Sequence, residues 1–140
     1  MFASLDISAS ALVAQRIRLD AISGNIAQMS TTRNEAGQSV PYQPRFVVFK
    51  PDESIRSPEG AVGVTVSSVE ISQEPPRWRY QPGHPDAQTE GPHKGYVAYP
   101  NIDMTTEFAD SLNATRAYEA NVGVMEASKS MFAQALRIIG

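Results

Sequence analysis

The last third of the chain carries a regular row of apolar positions. Met104, Phe108, Leu112, Thr115, Tyr118, Val122, Met125, Phe132, Leu136 and Ile139 follow one another in steps of three and four, with Lys129 as the charged interruption. That spacing predicts one long helix from about Asp103 to Ile139, with a heptad seam for packing along another helix. A second row, Ala117, Ala120, Val124, Ala127, Met131, Ala135 and Ile138, has the same period and is displaced around the axis. It is mostly alanine, which lets backbones approach closely. A helix packed on one partner needs one such row, so two predict contact from two sides.

The first segment, from about Ser4 to Met29, repeats the design. Leu5, Leu12, Leu19 and Ile26 recur every seven residues, with Ile22 between them, and Val13, Ile17, Ala21 and Gly24 lie on a neighbouring face. Asp6 or Ser4 is the expected N-cap, and Gly24-Asn25 is expected to weaken or bend the helix near its end. All 10 prolines fall between Pro41 and Pro100. Proline inside a helix costs about 3 kcal/mol, so the chain divides into an N-terminal helix (1–33), a proline-rich middle (34–100) and a C-terminal helix (101–140). The expected fold is mainly α with a small β region. Long terminal helices pair as an antiparallel coiled coil, and the middle forms a short hairpin with extended loops.

Within the middle, Arg45–Lys50 is a run of strong β-formers between Pro44 and Pro51. Val62, Val64 and Val66 alternate, then Val69 and Ile71 alternate in the opposite phase, which predicts a bulge at Ser67-Ser68. Trp78 and Tyr80 between Arg77 and Arg79 form a third candidate strand, added to the hairpin with its aromatic side on a helix and its basic side in water. The stretch up to Tyr99-Pro100 is expected to be extended over a neighbouring surface. Asp103 is the expected N-cap of the second helix; Glu107 and Arg137 suit the two ends of its dipole.

Composition narrows the function classes. The net charge is −3 with no Lys/Arg cluster, which argues against nucleic acid. No apolar run approaches the roughly 20 residues of a membrane span. Asp6, Gln15, Arg16 and Arg18 spoil any secretory leader, so a route out of the cytoplasm, if the chain takes one, is expected to read something other than a cleaved signal. His84 and His93, with Asp86 and Glu90 between them, match no metal-ligand spacing and read as turn residues; no cofactor is expected. No nucleophile or phosphate-loop motif is present. The polar cluster Thr115-Arg116-Ala117-Tyr118-Glu119-Ala120-Asn121 in mid-helix is expected to set register against neighbouring helices.

That cluster, preceded by Tyr96-Val97 and Pro100-Asn101-Ile102-Asp103, resembles the C-terminal signature of bacterial flagellar axial proteins. Ser23-Gly24-Asn25-Ile26-Ala27 is similar to their N-terminal rod signature. Pro41-Tyr42, Phe46-Val47-Val48-Phe49 and Tyr80-Gln81-Pro82-Gly83-His84-Pro85-Asp86-Ala87 are similar to the proximal-rod members of that family. Gln28 departs from the usual second Asn, and Gln88–Lys94 is longer than the usual link.

The resemblance implies a non-enzymatic subunit of the rod that crosses the periplasm and transmits torque, exported through the flagellar type III apparatus. It implies copies of itself, other rod subunits and the rod–export-gate adaptor as partners, without membrane insertion. The residues expected at assembly interfaces are Leu5, Leu12, Val13, Ile17, Leu19, Ile22, Asn25 and Ile26 of the first helix. In the second they are Phe108, Leu112, Arg116, Tyr118, Glu119, Asn121, Val122, Val124, Met125, Met131, Phe132 and Leu136. The alternative is a soluble helical adaptor or export chaperone, which predicts a discrete dimer.

Overall fold

The proline-free ends fold as helices. The computed structural model describes residues 2–140, with α1 at Phe2–Ala27 and α2 at Met104–Ile139. Between them lie β1 (Arg45–Arg56), β2 (Val62–Ile71), β3 (Arg77–Tyr80) and β4 (Tyr96–Tyr99). α1 begins at Phe2, ahead of both expected N-caps, and continues through Gly24 and Asn25. Asp103 caps α2, its Oδ1 accepting from the Thr105 N–H at 3.1 Å. At about 1.5 Å per residue the 26 residues of α1 span about 39 Å and the 36 of α2 about 54 Å. No described helix is long and apolar enough to cross a membrane.

The helices run antiparallel. Phe2 meets Phe132 edge-on at 6.0 Å, Arg18 faces Asp110 at 3.6 Å, and the Asn25 side chain donates to Glu107 at 3.4 Å.

β1 and β2 form an antiparallel ribbon whose register slips between Val48 and Phe49, leaving Ser67 as the extra residue of a bulge at the place the valine pattern predicted. The ribbon extends past Pro51, which pairs with Val64. Each strand of a two-stranded ribbon has an open side, where the missing proline N–H costs no ladder bond.

This ribbon lies along α1 and is pinned at two levels. Asn25 holds the backbone of Arg45, and the Ser10 hydroxyl accepts from the Val64 N–H at 3.0 Å. The 15 residues from Ser10 to Asn25 rise about 22 Å, and Arg45 to Pro51, opposite Val64, spans about 20 Å of strand. The two lengths agree, so one straight ribbon can meet both anchors. Gly63 is what allows the close approach: a Cβ there would stand 3.0 Å from both Ile55 Cβ and Ser10 Oγ. The second face of α1, expected to await a neighbour, is thus covered largely by its own chain.

The third strand departs from expectation. β3 pairs with β4, not with the hairpin, and makes a separate two-stranded sheet. Its aromatics pack within that unit. Trp78 stacks on His93 at 4.0 Å, Tyr80 meets Tyr96 edge-on, and the Arg79 guanidinium lies over the Tyr99 ring at 5.2 Å. The β part is therefore larger than a single small hairpin.

The interior is small. Ala14, Ile22, Val97, Ile102 and Ala114 are the buried apolar residues among those described, and two of these five are alanines. The accessible surface is 9503 Å², against about 7,100 Å² for a compact monomer of this mass. Roughly a third more surface than usual is in water.

Candidate assembly surface

The face that α2 turns toward α1 follows neither apolar row along its length, though it takes in Ala117, Met125 and Phe132. Ala114 is fully buried, and Glu107, Asp110, Ser111, Ala117, Asn121, Met125 and Ser128 are half-buried. These positions share one line along the helix, and most of them are small or polar. At 3.6 residues per turn, Phe108 and Leu112 lie about 120° and 160° around the axis from Ala114. They point away from α1 and are 58% and 50% exposed. Val124 and Met131 lie about 80–100° to the other side and are also exposed. The expectation that one large apolar row packs inside the subunit is corrected here. Small residues let the helix axes come close, and the bulky side chains are left flanking the seam.

The expected interface residues divide accordingly. Phe108, Leu112, Arg116, Tyr118, Glu119, Val124, Met131, Phe132 and Leu136 are exposed on α2, while Asn121, Val122 and Met125 are half-buried. On α1, Val13 is exposed and Leu5, Leu12, Ile17, Leu19 and Ile26 are half-buried. Ile22 and Asn25 are buried inside the subunit and cannot face a neighbour in this conformation. The mid-helix polar cluster makes local bonds. Thr115 donates to Ser111 O and Asn121 to Ala117 O, both at 2.8 Å, and Arg116 and Glu119 enter no ion pair among the described residues. Register inside the subunit is set elsewhere, at the ends of the helices.

Asn25 is the centre of that register. It is 3% exposed. Its Nδ2 donates to Arg45 O at 2.8 Å and its Oδ1 accepts from Arg45 N at 2.9 Å, so the side-chain amide pairs with β1 as another strand would. Oδ1 also accepts from the Tyr42 hydroxyl at 3.2 Å, and Nδ2 reaches Glu107 on α2. One amide therefore joins both helices to the hairpin. Burial pushes the Glu107 carboxyl above its ordinary range, partly offset by the Asn25 donor, and Asp110 adds to the rise.

Residues 5–33 match the family described as "Flagella basal body rod protein", and residues 93–138 match "Flagellar basal body rod FlgEFG protein C-terminal". The flagellar basal-body rod protein FlgC of Borreliella burgdorferi is 39% identical over 99% of this chain and 97% of its own length. That of Bacillus subtilis is 40% identical over 98% and 97%, and that of Salmonella typhimurium 38% over 95% and 93%. The chain belongs to the FlgC family of flagellar basal-body rod proteins.

Two motifs that carried the likeness to FlgC proteins have physical work in the structure. The Asn25 motif is the three-way joint just described. Gln28, the departure beside it, still engages the following loop, its Oε1 accepting from the Thr31 hydroxyl at 2.6 Å. In the Pro85-Asp86 motif, Asp86 is buried. It accepts from the Thr32 hydroxyl at 2.7 Å, Arg33 Nε at 2.6 Å and the Ser39 hydroxyl at 3.4 Å. It clasps the loop after α1 to the loop between β3 and β4, across more than 45 residues of sequence. The sequence marked both loops only as polar or turn-rich, and nothing in their composition signalled the pairing. His84, set aside as a turn residue, accepts from the Asp86 N–H at 3.0 Å.

The Thr32 hydroxyl, followed by Arg33, holds the Asp86 carboxyl below the ordinary carboxylate range against the opposing effect of burial. A depressed native value means that the clasp contributes fully above the unfolded value of about 3.9 and is lost as pH falls through the native one. Amide protection at 31–39 and 84–88, taken relative to the intrinsic exchange rate at each pH, should therefore fall on acidification below about pH 4. In Asp86→Asn the protection should already be low at neutral pH and lose most of this dependence. Exchange equally slow in both proteins at neutral pH would remove the clasp.

Proposed function

We propose that the chain is a structural subunit of the flagellar basal-body rod, polymerising through its terminal helices as part of a torque-transmitting shaft across the periplasm. One observation supports this most. Phe108, Leu112, Val124 and Met131 of α2 point away from α1 and are half or more exposed. Each aliphatic or aromatic side chain left in water forgoes about 1.5–3 kcal/mol relative to burial. Two flanking apolar rows suit two further helices, in a coiled-coil-like layer with the hairpin and the β3–β4 unit outside it. Torque transmission then rests on close packing and on pinned loops, with no reaction chemistry.

In this reading the partners are copies of the chain, other rod subunits and the rod–export-gate adaptor, reached after export through the flagellar type III apparatus. Cells lacking the chain should build basal bodies whose rods stop short, and should not swim. In solution, light scattering should show mass growing open-endedly with concentration, accompanied by a gain in helicity. A discrete dimer at every concentration, with complete rods in the deleted strain, would favour an adaptor or export chaperone.

A further inference from the structure

Glu107 stands in the first turn of α2, half-buried where both helices meet the hairpin. Its carboxylate is poorly supported there. One hydrogen bond reaches it, from Asn25 Nδ2 at 3.4 Å, and the same nitrogen donates to Arg45 O at 2.8 Å. Glu107 enters no ion pair among the described residues. A half-buried charge with one long hydrogen bond has given up water without a full replacement.

The charged groups around it are committed elsewhere. Two open cavities, of about 240 and 370 Å³, border this side chain. In the first, Arg18 of α1 faces Asp110 of α2 at 3.6 Å. In the second, Arg77 of β3 donates to the Asn101 side chain, Glu74 accepts from that side chain, and Asp103 caps α2. Arg45 of β1 borders both cavities and forms no ion pair with any of these carboxylates. Glu107 is left as an additional negative charge beside Asp110, matched by no guanidinium. The positive end of the helix dipole favours a charge in this first turn. Burial nevertheless pushes the carboxyl above its ordinary range, with the Asn25 donor offsetting part of the rise and Asp110 adding to it. A glutamine here would accept from Asn25 equally well, so what Glu107 adds is a charge that a proton can remove.

We infer that Glu107 makes the joint of α1, α2 and the hairpin pH-sensitive, loose while its carboxylate is charged and tight once it takes up a proton. The direction follows from the raised native value. Stability from this group is complete below the unfolded value of about 4.3 and is lost as pH rises through the native one. Asp86 acts in the opposite sense and in a separate window, below about pH 3.9. The sensitivity belongs to the subunit alone and is independent of the rod reading.

Thermal melts of wild type and Glu107→Gln, followed by circular dichroism between about pH 4.5 and 7.5, test this. At the upper end Glu107→Gln should melt about 3 °C or more above wild type, and the gap should close toward the lower end. Glu119→Gln, on an exposed face of the same helix, should keep the pH dependence of wild type. The Arg45 N–H, held by Asn25 Oδ1, reports on the joint itself. Its protection relative to the intrinsic exchange rate should rise by about threefold or more on acidification in wild type and stay level in Glu107→Gln. In carbon-detected NMR of wild type, the Glu107 carboxyl should titrate above the ordinary glutamate range. A carboxyl within that range, a Glu107→Gln that melts no higher than wild type at neutral pH, or a gap of equal size at both ends would overturn the switch and leave the rod assignment untouched. Complete rods in the deletion strain would remove the rod reading and leave these melts as they are.

Discussion

Leu112→Asp and Val124→Asp should each leave the isolated subunit folded and abolish rod assembly. Both side chains are 50% exposed and stand on opposite flanks of the seam that α2 shares with α1. A carboxylate at either place stays hydrated in the monomer, so thermal stability should change by no more than about 0.5 kcal/mol. In an assembled layer the same carboxylate would be pressed among apolar side chains without a partner, at a cost of several kcal/mol per subunit. Repeated around a tube, that penalty is prohibitive. Complementation of a deletion strain, scored by swimming and by electron microscopy of basal bodies, gives the outcome. A swimming Leu112→Asp strain with full-length rods would mean that the outward row of α2 is not buried by neighbours. If only Val124→Asp assembled, the layer would grip α2 on one flank alone.

The second large effect is expected inside the subunit. Asn25→Leu keeps the size of the side chain and removes every hydrogen bond that it makes. The N–H and C=O of Arg45 and the hydroxyl of Tyr42 lose their partner together. Buried polar groups left unpaired cost about 1–3 kcal/mol each, and some will find water, so a net loss on the order of 3 kcal/mol is expected. For a chain of this size that lowers the melting temperature by roughly 10 °C. Asn25→Asp separates the contributions. It retains an acceptor for Arg45 N and Tyr42, loses the donor to Arg45 O, and sets a second carboxylate against Glu107. Burial already holds the Glu107 carboxyl above its ordinary value. Protonation relieves the repulsion, so Asn25→Asp should be less destabilised at pH 4 than at pH 7. A loss below about 0.5 kcal/mol in Asn25→Leu would mean that the three-way joint contributes little.

These two predictions sit on different sides of what residue patterning can reveal. The confinement of proline to the middle, the three- and four-residue spacing at both ends and the phase slip of the valines are local signals. Each constrains one segment, and helices, strands and the Ser67 bulge followed them. The partner of a segment is a different kind of fact. Trp78 and Tyr80 read as an amphipathic strand in search of any apolar surface. They found Tyr96 and His93 because backbone bonds from Gln81 N–H to Gly95 O, Gly95 N–H to Gln88 O and Gln88 N–H to Tyr96 O close the loop that brings β4 alongside β3. Asn25 stood out as part of a motif, but its role was expected on the outside. A side-chain amide that imitates a strand edge has no periodicity to announce it.

The order of elements, their lengths and the surplus of apolar surface were set by residue order alone, because hydrophobic spacing and proline act within a few turns of chain. Which face of each helix is hidden was decided only in three dimensions. There the alanines and serines of the seam admit a close approach that Phe108 and Leu112 would prevent, and the hairpin occupies the side of α1 that could otherwise have met a neighbour.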